Sequence, residues 1–128
     1  SGATTGRVAI VDTDKVFTIW SPLAVFRANR ERILPMFLFY ALQSDSYQKQ
    51  VELGWTYGTQ QNIGMRTLEA LKICLPPIDE QAEIVSYLEE RCGTIDSLIK
   101  EKEALISDLE SFKRSLVYET VTGKRKVV

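Results

Sequence analysis

The chain has 128 residues, 45% of them hydrophobic and 26% charged, with a formal net charge of −1, a balance that suits a folded protein of one modest domain or a small domain plus an appendage. It contains no histidine, which removes histidine acid–base chemistry, the usual nucleophile triads and most zinc sites. No apolar run approaches the ~20 residues that span a bilayer, and the near-neutral charge announces no nucleic-acid partner, so charge distribution becomes the guide.

The opening SGATTG lacks the charged-then-apolar layout of a signal peptide and has no initiator methionine, so a processed chain or fragment in the cytoplasm is expected. Three short β-branched runs follow: Arg7 to Val11, Val16 to Trp20 and Leu23 to Arg27. They are divided by Asp12 to Lys15 and by Ser21-Pro22, which predicts strands rather than helices. Pro35 suits the first turn of a helix. Phe37, Leu38, Tyr40, Ala41 and Leu42 make that helix apolar on most sides, hence buried. Ser44-Asp45-Ser46 interrupts it and can cap a second short helix, Tyr47 to Leu53, stopped by Gly54.

GWTYGTQQNIG, residues 54–64, is punctuated by glycines and reads as a loop that displays Trp55, Tyr57, Gln60, Gln61 and Asn62. Thr67 to Leu71 predicts a helical turn. Lys72 to Leu75 predicts a last strand, ended by Pro76-Pro77, which cannot donate ladder hydrogen bonds. Cys74 and Cys92 stand in no metal-like spacing and read as reduced cytosolic thiols.

From Asp79 the pattern changes. Asp79 is the expected N-cap of a helix running from Glu80 to Thr120, with Glu80 and Glu83 favouring its positive end. With Leu88 as position a, the seam is Leu88, Ile95, Lys102, Leu109 and Leu116 at a, and Arg91, Leu98, Leu105 and Phe112 at d. That is the pattern of a coiled coil. Val85, Cys92, Ile99 and Ile106 at e widen the stripe. Gly93 weakens the helix by about 1 kcal/mol relative to alanine and marks a candidate kink. Such a helix is roughly 60 Å long, and no second long helix exists in the chain to cover its stripe. Another copy or another protein is the expected partner. The expected architecture is α+β: a small mixed head over residues 1–76, a coiled-coil helix over 77–122 and a basic tail over 123–128.

The segment from Leu75 to Lys124 resembles the helical region of the specificity subunit of type I restriction–modification systems. The resemblance rests on LPPIDEQ at Leu75 to Gln81, IDSLI at Ile95 to Ile99, and SLVYETVTGK at Ser115 to Lys124. Upstream, SGATTGR and GTQQNI are similar to a strand and a loop of that family's target recognition domain. The resemblance implies a subunit without catalysis. It implies two recognition domains per full subunit, each reading half of a split double-stranded DNA site. It also implies helical spacers that fix the distance between the halves, and docking of methyltransferase (modification) and restriction subunits. This chain departs in having one spacer helix and a recognition domain lacking its N-terminal portion. It reads as a half-subunit or fragment, and as an antiparallel homodimer through the helix interface Leu88, Ile95, Leu98, Ile99, Leu105, Leu109, Phe112 and Leu116.

The candidate chemistry is that of contact rather than catalysis. LPPI lacks the polar residue and the aromatic with which an adenine methyltransferase motif holds a flipped base. No glycine-rich strand-to-helix loop is present for a nucleotide or S-adenosylmethionine, so no cofactor is expected. Candidate phosphate contacts are Arg7, Arg27, Arg30, Arg32, Lys49 and Arg66, densest in RANRER. Solvated surface charge is the plainer reading of each taken singly. Candidate base contacts are Trp55, Tyr57 and Gln61, since glutamine can pair with adenine in the major groove. The resemblance assigns Thr59, Gln60 and Asn62 to scaffold, because that pattern recurs where targets differ. Lys102 and Arg91 interrupt the seam, either fixing its register or reaching out to solvent. The rival to DNA recognition is an assembly module whose truncated head binds modification subunits without reading DNA.

Overall fold

The computed structural model describes residues 5–21, 23–55 and 62–127. Four helices follow in order: α1 Pro35–Gln43, α2 Asp45–Leu53, α3 Met65–Ala70 and α4 Ile78–Val121. The chain forms two compact units, Ser1–Ser86 and Tyr87–Val128. No helix among the described residues is long and apolar enough to cross a membrane.

The first unit is built on the α1–α2 corner. Pro35 opens α1 at its first turn, where its missing N–H is no loss. Ser44 serves both helices. Its hydroxyl donates to the Ala41 carbonyl at 2.7 Å, closing α1, and accepts the Tyr47 N–H at 3.3 Å, opening α2. The helix therefore starts at Asp45, two residues before the sequence pattern suggested. Leu42, Tyr47 and Val51 form the core of the corner, with Val8, Leu38, Trp55, Ile63, Leu71 and Ile73 packed around it.

The expected strands are a correction. Arg7 to Val11, Val16 to Trp20, Leu23 to Arg27 and Lys72 to Leu75 form no strand; the described residues hold helices and irregular segments. The small mixed head of the α+β expectation is thus helical and irregular in its described part. The reason is pairing. β-branched residues favour a pleated surface only when a neighbouring strand supplies the ladder. The hydrogen bonds seen within residues 8–27 are local: Lys15 N–H to Thr13 Oγ1 and Leu23 N–H to the Trp20 carbonyl. Beyond Val8, which packs on the core, the described apolar side chains there stay exposed, Val16 fully and Trp20 at 83%. At Lys72 the place of a strand partner is taken by one side chain. Gln50 Nε2 donates to the Lys72 carbonyl at 2.9 Å, and Gln50 Oε1 accepts the Lys72 N–H at 3.0 Å.

The loop expected at 54–64 lies mostly outside the described residues; its Tyr57, Thr59, Gln60 and Gln61 are among those not described. The helical turn expected at Thr67 to Leu71 is α3. The long helix is present as α4 and begins at Ile78, so Asp79 sits inside its first turn with Glu80 instead of capping it. Pro77 stands just outside the helix, and its carbonyl accepts the Gln81 N–H at 3.0 Å. At 44 residues, α4 is about 66 Å long. It runs unbroken through Gly93, whose carbonyl accepts the Ser97 hydroxyl at 2.9 Å. Gly123, at φ +72°, ends the helix with its N–H on the Thr120 carbonyl. The basic tail is partly folded back: Lys124 Nζ lies 3.0 Å from the Tyr118 hydroxyl, and the Arg125 N–H donates to the Glu119 carbonyl.

Candidate nucleic-acid interface

Gly6 is the first organising residue of the head. Its φ of +91° is accessible to glycine and strained for other residues. A Cβ there would lie 2.7 Å from Gln48 Oε1 and 3.2 Å from Val51 Cγ1. The close approach lets Gln48 on α2 donate both to the Gly6 carbonyl at 2.9 Å and to the Leu42 carbonyl at 2.7 Å. One amide thereby ties the start of the described chain to the helical corner.

This tie shapes an open cleft of about 550 Å³, lined by Arg7, Gln43, Gln48, Glu52 and Trp55 among others. Arg7 and Trp55, singled out from sequence and 48 positions apart, meet there. Gln43 and Glu52 were not singled out. Arg7 and Gln43 offer donors, Glu52 and Gln43 offer acceptors, and Arg7, Gln43 and Glu52 are exposed. The Trp55 indole nitrogen is buried and has no hydrogen-bond partner among the described residues. Among those residues it is a donor without an acceptor, a rare state for a buried polar group.

The other candidates are distributed. Arg27, Arg30 and Arg32 are exposed and none of them forms an ion pair among the described residues. Arg30 and Arg32 share one tight turn. Asn29 organises it by accepting the Arg32 and Ile33 N–H groups on its carbonyl, each at 2.9 Å, and the Glu31 N–H on its side chain at 3.1 Å. Lys49 is engaged already: it pairs with Asp45 one turn earlier on α2. The hydrogen bond and charge of Asp45 raise its pKa. Arg66 is exposed on α3, apart from the residues that line the cleft. Tyr57 and Gln61 lie outside the described residues. No cluster able to hold a metal ion occurs among the described residues.

Three glutamines carried little signal in the sequence. Gln48, Gln50 and Gln81 each hold backbone together through side-chain amides. Gln81 is the most enclosed, with no solvent exposure. Its only signal is its place one turn beyond Pro76-Pro77, within the LPPIDEQ stretch.

On α4 the expected interface residues Ile95, Leu98, Ile99, Leu105, Leu109, Phe112 and Leu116 are exposed and Leu88 is half-buried. Arg91, expected to interrupt the seam, places its guanidinium 5.4 Å from the Tyr87 ring centre, a cation–π contact along one face. A shallow concavity of about 740 Å³ near the helix end, beside Val117, Tyr118 and Val121, is bounded by α4 and Thr122 alone.

Comparison with known proteins places the chain among relatives. Residues 1–107 match the family described as the type I restriction modification DNA specificity domain. The chain is 29% identical over 116 residues to the type I restriction enzyme MjaVIII specificity subunit of Methanocaldococcus jannaschii, covering 91% of this chain and 26% of that protein. It is 33% identical over 106 residues to the putative type I restriction enzyme MjaX specificity subunit of the same organism, covering 82% and 23%. To the type I restriction enzyme EcoBI specificity subunit of Escherichia coli it is 25% identical over 119 residues, covering 93% and 25%. The chain thus spans about a quarter of the length of these curated relatives. No solved structure matches it.

Proposed function

Since the chain belongs to the type I restriction modification DNA specificity domain family, we propose that it is a non-catalytic DNA-recognition part of a type I restriction–modification complex. The observation that carries this reading is the cleft in which Arg7 and Trp55 meet beside Gln43 and Glu52. A mixed set of donors and acceptors suits the edges of bases, while Arg27, Arg30 and Arg32 supply positive charge for phosphates. Its partners are double-stranded DNA and the modification and restriction subunits, in the cytoplasm.

In this reading residues 1–76 serve recognition, 77–122 serve as spacer and interface, and 123–128 are a basic extension. The runs at 7–11, 16–20 and 23–27 are the β part of an α+β head, forming strands when another segment of a recognition domain supplies the ladder. Their exposed Val11, Val16, Phe17 and Leu23 support that, because such side chains favour a covered pleated face. The spacer pairs antiparallel with a second copy. Charge supports that direction through the tail: Asp79, Glu80, Glu83, Glu89 and Glu90 outnumber Arg91 at the start of α4, whereas Lys113 and Arg114 stand among Asp108, Glu110 and Glu119 near its end, and Lys124, Arg125 and Lys126 follow beyond it.

The test is binding of random-sequence and selected DNA duplexes by the chain assembled with the modification subunit, across a salt series. Binding that weakens steeply with salt and prefers particular sequences supports recognition. Stable assembly with no DNA preference overturns it in favour of the assembly module.

A further inference from the structure

We propose that Gln81 is a positioning residue for DNA contact: from the first turn of α4 it fixes the backbone turn that presents Arg30 and Arg32 to phosphates. This rests on the recognition reading above. Gln81 is wholly buried, and burial of an amide is unfavourable unless its polar atoms are bonded. Here they are. Oε1 accepts the Leu34 N–H at 2.9 Å, and Nε2 donates to the Arg32 carbonyl at 3.0 Å and the Pro76 carbonyl at 2.8 Å.

All three partners are backbone groups. The side chain therefore fixes the path of the chain around residues 32–34 whatever side chains those positions carry. Asn29 closes the turn from its other end. Held between Asn29 and Gln81, the turn leaves Arg30 and Arg32 exposed while Ile33 is buried. A cation on a fixed backbone loses less freedom on meeting a phosphate than one on a mobile loop. The Pro76 bond brings the segment leaving the head into the same latch, so Gln81 joins the proline break, the first turn of α4 and the arginine turn within one unit.

The test uses Gln81→Met, which keeps the length and removes all three bonds, beside Arg30→Ala/Arg32→Ala in the same full chain. Amide exchange at Leu34 reads the latch directly, without DNA. The salt dependence of DNA affinity, with the chain assembled with its modification subunit, reads how many phosphates are neutralised. The slope falls by about 0.9 for every phosphate no longer neutralised. We expect Leu34 to lose protection in Gln81→Met. Its slope should fall by about as much as in the arginine variant, and combining the changes should lower it no further. Should Gln81→Met unfold the head, Gln81→Glu replaces it, keeping an acceptor for Leu34 while losing the donors to the Arg32 and Pro76 carbonyls, and the salt slope alone is its readout. An unchanged slope, a Leu34 fully protected in Gln81→Met, or additive decreases would overturn the positioning role and leave the recognition reading intact. Absence of any salt-dependent DNA binding by the unsubstituted assembly would overturn the recognition reading, and this role with it.

Discussion

Gly6 and Tyr47 show how much of the head depends on single positions. Gly6 holds a positive φ and leaves no room for a methyl group against Gln48 and Val51. Gly6→Ala is therefore expected to destabilise the head by about 1–3 kcal/mol, read as a lower urea midpoint with an unchanged slope. A midpoint equal to that of the unsubstituted chain would show that the tie between Gly6 and Gln48 contributes nothing. Tyr47 is buried in the α1–α2 core, and burial raises its phenol above the ordinary 10.0. The folded state then holds this proton more tightly than the unfolded state does. Its contribution is fully present below the unfolded value and is lost as pH rises through the folded one. Tyr47→Phe should remove that alkaline loss, so the two proteins should differ in the pH dependence of stability only above about pH 10. Parallel curves across that range would assign the alkaline loss to other groups.

Elements differed in how legibly the sequence announced them, and the difference is physical. Helices α1, α2 and α4 carry their instructions locally: Pro35 at a first turn, Ser44 at a cap, a heptad repeat along α4. Local hydrogen bonds and periodic burial suffice to read them. Strands do not work that way, because half of each ladder lies elsewhere in sequence. Val16 to Trp20 has strand composition without a described partner, and Lys72 has its backbone bonds taken by Gln50. The candidate site divides in the same manner. Arg7 and Trp55 stood out by residue type, whereas Gln43 and Glu52 enter the cleft only through the α1–α2 corner. Gln81 looked like any polar residue on a helix until its burial was visible. At Gly93, the candidate kink, the helix continues, because a helix tolerates glycine at a cost in stability. A Cβ at Gly93 would meet nothing within 4 Å. Gly93→Ala should stabilise α4 by about 1 kcal/mol, seen as a higher thermal midpoint of helical circular dichroism. A lower midpoint would mean that a partner packs closely against that position.

For the molecule as a whole, the unsatisfied feature is the stripe of α4. Ile95, Leu98, Ile99, Leu105, Leu109 and Phe112 are each about half exposed or more. Isolated helices draw little stability from propensity and most from packing an apolar face. A 44-residue helix with that face open gains strongly from a second helix, and an antiparallel pairing sets the acidic start of one copy, Asp79 to Glu90, toward Lys113, Arg114 and the basic tail of the other. The expected solution species is a dimer that dissociates on dilution, measured by light scattering across a concentration series. Leu98→Glu/Leu105→Glu places charge in the middle of the stripe, where two copies would bury it. This variant should be monomeric at concentrations where the unsubstituted chain is dimeric, with weaker helical signal and an intact Leu42–Tyr47–Val51 core. Reversing the charges of Glu89 and Glu90 to lysine should weaken the dimer, and joint reversal of Lys113 and Arg114 to glutamate should restore it only if the helices run antiparallel. Restoration fails in a parallel pair, where each end faces its own like charges. If the unsubstituted chain stays monomeric throughout the dilution series, self-pairing is excluded. The same stripe would then belong to a helix on a different protein, and the two-headed arrangement would need that protein to supply the second head.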